Sequence, residues 1–161
     1  MIKRNRILFA VLILLLILAG AFLFYWLRNA APFEPGEDET ALRINMDTDE
    51  DVGLIVFDYE ADGHSFSGGI SNADKSLIKH NDSIINVWNR EDLGCEGDSI
   101  SVTFEFRIIT DYIDPNFENI YPEEITRRID PLTVDMEFGK IYDITIRGSR
   151  DKGYRAVIGK E

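Results

Sequence analysis

A chain of 161 residues with 29 acidic and 17 basic side chains carries a formal net charge of -12. That length holds one compact domain plus an appendage and excludes a large multidomain enzyme. An apolar content of 45% excludes a disordered chain, and one cysteine with two histidines excludes both an internal disulfide framework and a zinc site built from His and Cys alone.

The charge is unevenly spread. Residues 1–31 hold Lys3, Arg4, Arg6 and Arg28 and no acid, so the other 130 residues carry 13 basic against 29 acidic groups, a net of -16. Such a surface repels phosphates, and no nucleic-acid partner is expected.

Residues 1–6 read as a basic cytoplasmic tail. From Ile7 to Leu27 there follow 21 uncharged, almost wholly apolar residues. As a helix they would extend about 31 Å, the thickness of a bilayer core. Tyr25 and Trp26 fall at one end, where amphipathic rings favour the membrane interface. Three of the four positive charges precede this stretch, which predicts a single-pass plasma-membrane anchor with its N-terminus in the cytoplasm and the remainder outside. A cleaved secretory signal is the rival, but the apolar stretch is long for one. Cleavage after Ala30 puts Arg28 at the -3 position, and cleavage after Ala31 puts Pro32 next. Leu18-Ala19-Gly20 opens like a lipoprotein box, with Ala21 where the lipidated Cys would stand. Residues 28–40, with two prolines and a run of acids, predict an extended acidic linker.

Residues 41–161 predict a mainly β, antiparallel sandwich domain outside the cytoplasm. The alternating apolar residues Leu42, Ile44 and Met46 mark a first strand, and the runs Val52 to Tyr59 and Ser83 to Trp88 mark two more. Phe66 marks a further short strand, and Ser71 to His80 reads either as a helix or as a loop. Ile100, Val102, Phe104, Phe106 and Ile108 alternate with polar residues and give the clearest strand of all. Pro122 to Ile129 carries acids first, bases last and Pro131 beyond, the pattern of one short helix. Leu132 to Phe138 and Tyr142 to Ile146 alternate again, and Gly139-Lys140 between them predicts a tight hairpin. A last strand runs from Tyr154 to Ile158. Without a Cys–Trp–Cys core, the fold expected is an immunoglobulin-like or fibronectin-like sandwich lacking the disulfide.

Motifs that carry chemistry are few. Asp47, Asp49 and Asp51 have the 1-3-5 spacing of a calcium loop, with Asp58 at position 12; Val52, however, occupies position 6, where the turn needs Gly. Calcium is therefore the one cofactor the sequence leaves room for, beside the plainer reading of a solvated acidic turn. Gly63 to Gly68 approaches the G-x-S-x-G nucleophile elbow around Ser65, with Ser67 in place of the second Gly and no parallel α/β scaffold to carry it. His64 and His80 have no partner in spacing. Cys95 is followed by Glu96 and Asp98, acids that blunt a thiol, and Asn81-Asp82-Ser83 fits a glycosylation sequon. Residues 111–121 combine Tyr112, Phe117 and Tyr121 with amides and acids, the composition of a recognition loop on a rigid scaffold. The alternative is a satellite core of the same aromatics.

The sequence thus predicts a non-enzymatic binding module at the cell envelope, its partner a surface protein or a glycan. The alternatives are a calcium-stabilised adhesion or cell-wall-binding module and an exported hydrolase working through carboxylates.

Overall fold

The computed structural model describes residues 13, 15–25, 32–111 and 122–159. The chain divides into two compact units, Met1–Phe33 and Glu34–Glu161.

In the first unit, residues 15–25 are helical (α1), with every side chain exposed. Among the described residues no helix is long and apolar enough to cross a membrane. The remainder of the expected 7–27 span, apart from Ile13, lies outside them.

The second unit is mainly β, built as two facing sheets. One has the order β4(Ser83–Asn89), β1(Glu39–Thr48), β8(Ile141–Ser149), β9(Gly153–Ile158). The other runs β3(His64–Ile70), β2(Leu54–Ala61), β5(Ser99–Ile109). Along the far side of β5 lie β6(Thr126–Arg128) and β7(Leu132–Glu137) end to end, separated by Ile129, Asp130 and Pro131. Strand β1 begins at Glu39, so the last two residues of the expected linker already belong to the sheet.

Strand alternation places the core. In β5, Ile100, Val102, Phe104, Phe106 and Ile108 are buried while Ser101 and Glu105 are exposed. Leu42, Ile44, Ile144 and Ile146 face them from the other sheet. At the centre Phe57, Tyr59, Trp88, Phe104 and Phe106 pack ring to ring with centroids 5.5–6.2 Å apart. Each such ring contributes about 1.5–3 kcal/mol by leaving water. Trp88 Nε1 donates to Tyr59 Oη at 3.1 Å, a buried hydrogen bond joining β4 of one sheet to β2 of the other.

Several expectations are corrected. The sandwich is not wholly antiparallel, because β1 and β8 pair in parallel, from Ala41 beside Ile141 to Thr48 beside Gly148. That pairing puts the first strand inside its sheet, between β4 and β8. Gly139-Lys140 does not close a hairpin. It carries the chain from one sheet to the other, since β7 pairs with β5 while Gly139 N and Lys140 O bond to Glu39 and Ala41 at the start of β1.

The helix expected at 122–129 is only a 3-10 turn, Glu123–Ile125. Thr126 to Arg128 go straight into β6 because the end of β5 offers them a partner edge. The short helix instead follows β4 as α2(Arg90–Leu93), where Asn89 and Asp92 form a reciprocal capping box and Gly94 closes the end. Residues 71–80 are a loop held by bonds from Asn72 Nδ2 to Ser76 and Leu77 and by the bridge of Val52 to Ile78.

Candidate functional site

The acidic segment after β1 is where a cation was expected. Its carboxylates do not converge. Asp47 lies beside Arg147 in the parallel pair and accepts from its Nε at 2.8 Å, and Asp49 faces Lys152 Nζ at 3.4 Å. Asp51 accepts from Lys79 Nζ at 2.8 Å and from the backbone N–H of His80 at 2.9 Å, with His80 Nδ1 also at 2.9 Å. These bonds, Lys79 first, hold the Asp51 carboxyl far below its usual range. Among the described residues no group of three His, Cys, Asp or Glu stands close enough to share a metal ion. Each of the three carboxylates instead faces a cation of its own, Arg147, Lys152 or Lys79.

Between them, Glu50 does something the spacing did not reveal. Its Oε1 accepts from Arg150 N at 2.6 Å and from the Tyr154 hydroxyl, and its backbone O accepts from Thr48 Oγ1 at 2.8 Å. Burial first, and then the Glu50 carboxylate, push the Tyr154 phenol well above its ordinary value. This joins the end of β1 to the β8–β9 hairpin across more than 100 residues of sequence, so no local pattern announces it.

The expected recognition residues Tyr112, Phe117 and Tyr121 lie outside the described residues; the stem that carries them does not. Thr110 donates its N–H to Ile125 O at 2.8 Å and its Oγ1 to the same oxygen at 3.2 Å. The two ends of the loop thus leave the same end of β5 and β6 side by side. The stem is fixed from below by Gly53, whose N–H donates to Ile109 O at 2.8 Å.

The other candidates disperse. Ser65 is exposed on β3 opposite Glu60, in a hairpin whose Asp62-Gly63 turn has positive φ at both residues. It is therefore not on the strained strand-to-helix turn a nucleophile elbow needs. Cys95 is half-buried, its Sγ 3.6 Å from Gly97 O and Ser99 O, at the edge of an open groove of about 600 Å³. On the outer face of the second sheet, Arg107 donates to Asp58 at 2.7 Å and lies directly across from Arg128, beside a depression of about 300 Å³.

One surface was legible in the sequence as a strand but not as a surface. Among the described residues β4 is an edge strand of its sheet, and Ile85 and Val87 on its outer side are 37% and 36% exposed.

No protein-family model matches the chain, and no curated protein matches it. Among solved structures it is similar to pneumolysin at 10% identity, over 76% of this chain and 24% of that one, with a TM-score of 0.39. It is similar to the membrane-binding domain of pneumolysin at 9% identity, over 76% of this chain and 97% of that one, also at 0.39. A third is the human-specific toxin intermedilysin, at 14% identity over 76% and 24%, with a TM-score of 0.37. The chain spans about a quarter of the length of the two whole toxins. No site or activity is carried across from any of them.

Proposed function

We propose that this chain is a single-pass protein of the plasma membrane that presents its β unit outside the cytoplasm and acts there by binding, without catalysing a reaction. The observation that carries the reading is α1, where Leu16, Phe22 and Phe24 are 65%, 71% and 68% exposed. A helix apolar on all sides needs an apolar surrounding, and in sequence it belongs to an uncharged run of 21 residues, Ile7 to Leu27, long enough for a bilayer's span if helical throughout. The acidic unit beyond suits an aqueous compartment and disfavours anionic partners.

Within that unit, loop 111–121 is the recognition face. Tyr112, Phe117 and Tyr121 are its anchors, and the Thr110–Ile125 bond holds the strands at either end of the segment together. The partner is a surface protein of the same envelope, held near at high effective concentration by the shared membrane, or a glycan.

Two measurements test this on intact source cells. External protease should release the β unit, and alkaline carbonate should leave the full chain in the membrane. Loss of the chain to the carbonate supernatant would refute the anchor. Tyr112→Ala and Tyr121→Ala should each weaken capture of the cross-linked partner without lowering the melting temperature; unchanged capture in both would remove the loop from the proposal.

A further inference from the structure

We propose that β4 is a homotypic interface, at which two copies of this chain pair their β4 edges antiparallel about Asn86 and fuse two four-stranded sheets into one of eight. The proposal does not depend on the identity of any other partner.

The hydrogen-bonding phase of β4 is fixed by its register with β1. Met46 N donates to Asp82 O at 2.9 Å, and Ile44, Leu42 and Thr40 lie opposite Ile84, Asn86 and Trp88. In an antiparallel ladder hydrogen-bonded pairs alternate, so the even-numbered residues of β4 turn their backbone groups to β1. Ser83, Ile85 and Val87 turn theirs outward. Strand edges of this kind are ordinarily blunted by Lys, Pro or an inward charge. Between Asp82 and Arg90 there is no charged residue and no proline. The other edge strands differ: β9 carries Arg155, β3 the adjacent Gly68 and Gly69, β6 Arg127 and Arg128, and β7 Asp135 and Glu137.

The segment also reads as its own complement. With Asn86 on the two-fold axis, Ile85 faces the second copy's Val87, Ile84 faces Trp88, Ser83 faces Asn89, and Asp82 faces Arg90. Apolar meets apolar on both faces of the sheet, polar meets polar, and the terminal charges are opposite. Shifting the axis to Ile85 sets Asp82 against Trp88, and shifting it to Val87 sets Ile84 against Arg90. The Asn86 register also brings together the residues whose backbone groups point away from β1 and have no partner among the described residues: Ile85 with Val87, twice, gives four new hydrogen bonds. The charge pairs at the ends select register more than they add affinity. Arg90 is already engaged by Asp38 at 2.9 Å and Asp98 at 3.2 Å, and surface pairs contribute little.

A seven-residue strand covers less than the roughly 1,000 Å² of a stable free-standing interface, and the two units repel through their acidic surfaces. The dimer is therefore weak at low salt and tightens as salt screens the repulsion.

The test uses the purified full chain in detergent with Cys95→Ser as background. In the Asn86 register the two Asn86 residues form a non-hydrogen-bonded pair with Cα atoms about 4.5 Å apart, within disulfide reach. Asn86→Cys should oxidise to a covalent dimer. Ile85→Cys, more exposed but two residues out of register and about 8 Å from its copy, should not. Adding Val87→Lys to Asn86→Cys should remove most of the dimer, and raising the salt should increase it. Equal linking at positions 85 and 86, or no linking at 86 at high salt, would overturn the proposal. In source membranes, a link from position 86 to a different polypeptide in place of the dimer would also overturn it.

Discussion

The buried bond from Trp88 Nε1 to Tyr59 Oη sets up a sharp stability experiment, because it is a polar contact between the sheets inside an aromatic cluster. Both residues are buried, so Tyr59→Phe leaves an indole N–H with no acceptor and little water. A stranded buried donor costs about 1–3 kcal/mol, although the ring packing is conserved. Trp88→Phe removes the donor and shrinks a ring that touches Phe57, Tyr59 and Phe104. Once Trp88 is gone, removing the Tyr59 hydroxyl strands nothing. The double variant should therefore cost about 1 kcal/mol less than the sum of the two singles. Against a total stability of roughly 5–15 kcal/mol, effects of this size are resolved by urea unfolding of all four proteins followed by tryptophan fluorescence or circular dichroism. A Tyr59→Phe variant as stable as the parent, or strictly additive costs, would mean that the bond does not hold the sheets together.

Further outcomes follow from the ionisable groups and one glycine. Asp51 has a lowered pKa, so the stability it contributes is complete above the unfolded carboxylate value near 4 and is lost as pH falls; Asp51→Asn should flatten the acid limb of a pH–stability profile. Because Asp47, Asp49 and Asp51 each face a cation, Ca²⁺ should leave the melting temperature unchanged, and a saturable rise abolished by Asp49→Asn with Asp51→Asn would contradict that reading. Tyr154 has a raised pKa, so its contribution is complete below about 10 and is lost as pH rises beyond; Tyr154→Phe should lessen the alkaline loss seen in the same profile. Gly148, at φ 122°, would set a Cβ 2.2 Å from Gly153 O across the β8–β9 pair, so Gly148→Ala should cost about 3 kcal/mol or more in urea melts; a cost below about 1 kcal/mol would refute the close approach.

How far the sequence discloses this molecule depends on the range of the forces involved. Alternation is local, so β1, β2, β4, β5, β7, β8 and β9 were all visible in the order of apolar residues, with the inward faces of Leu42, Phe104 and Ile144. Direction and neighbour are not local. Nothing in the residues near Gly139 says that the following strand belongs to the other sheet, because its partner begins 100 positions earlier at Ala41. The pattern at 122–129 satisfied the helix rules, yet tertiary pairing of Thr126 and Arg127 with Ile109 and Ile108 prevailed over a weak local preference. At the acidic segment the spacing is local, and the cations that face its carboxylates are not. Arg147 and Lys152 of the β8–β9 hairpin and Lys79 of the 71–80 loop come from distant parts of the chain to meet Asp47, Asp49 and Asp51. The edge character of β4 likewise follows from strand order alone, although its uncharged run was in plain view.

The parallel union of β1 with β8 also sets a timetable. Ile141 emerges from the ribosome a hundred residues after Ala41, an interval of about 5–20 s at ordinary elongation rates. For that time β1 has β4 at most for company, and its other side waits as an open template. Contacts this distant in sequence slow the search for the native pairing and prolong the exposure of aggregation-prone strands. Until the β8–β9 hairpin is made, the side of β1 that β8 will cover stands unpaired.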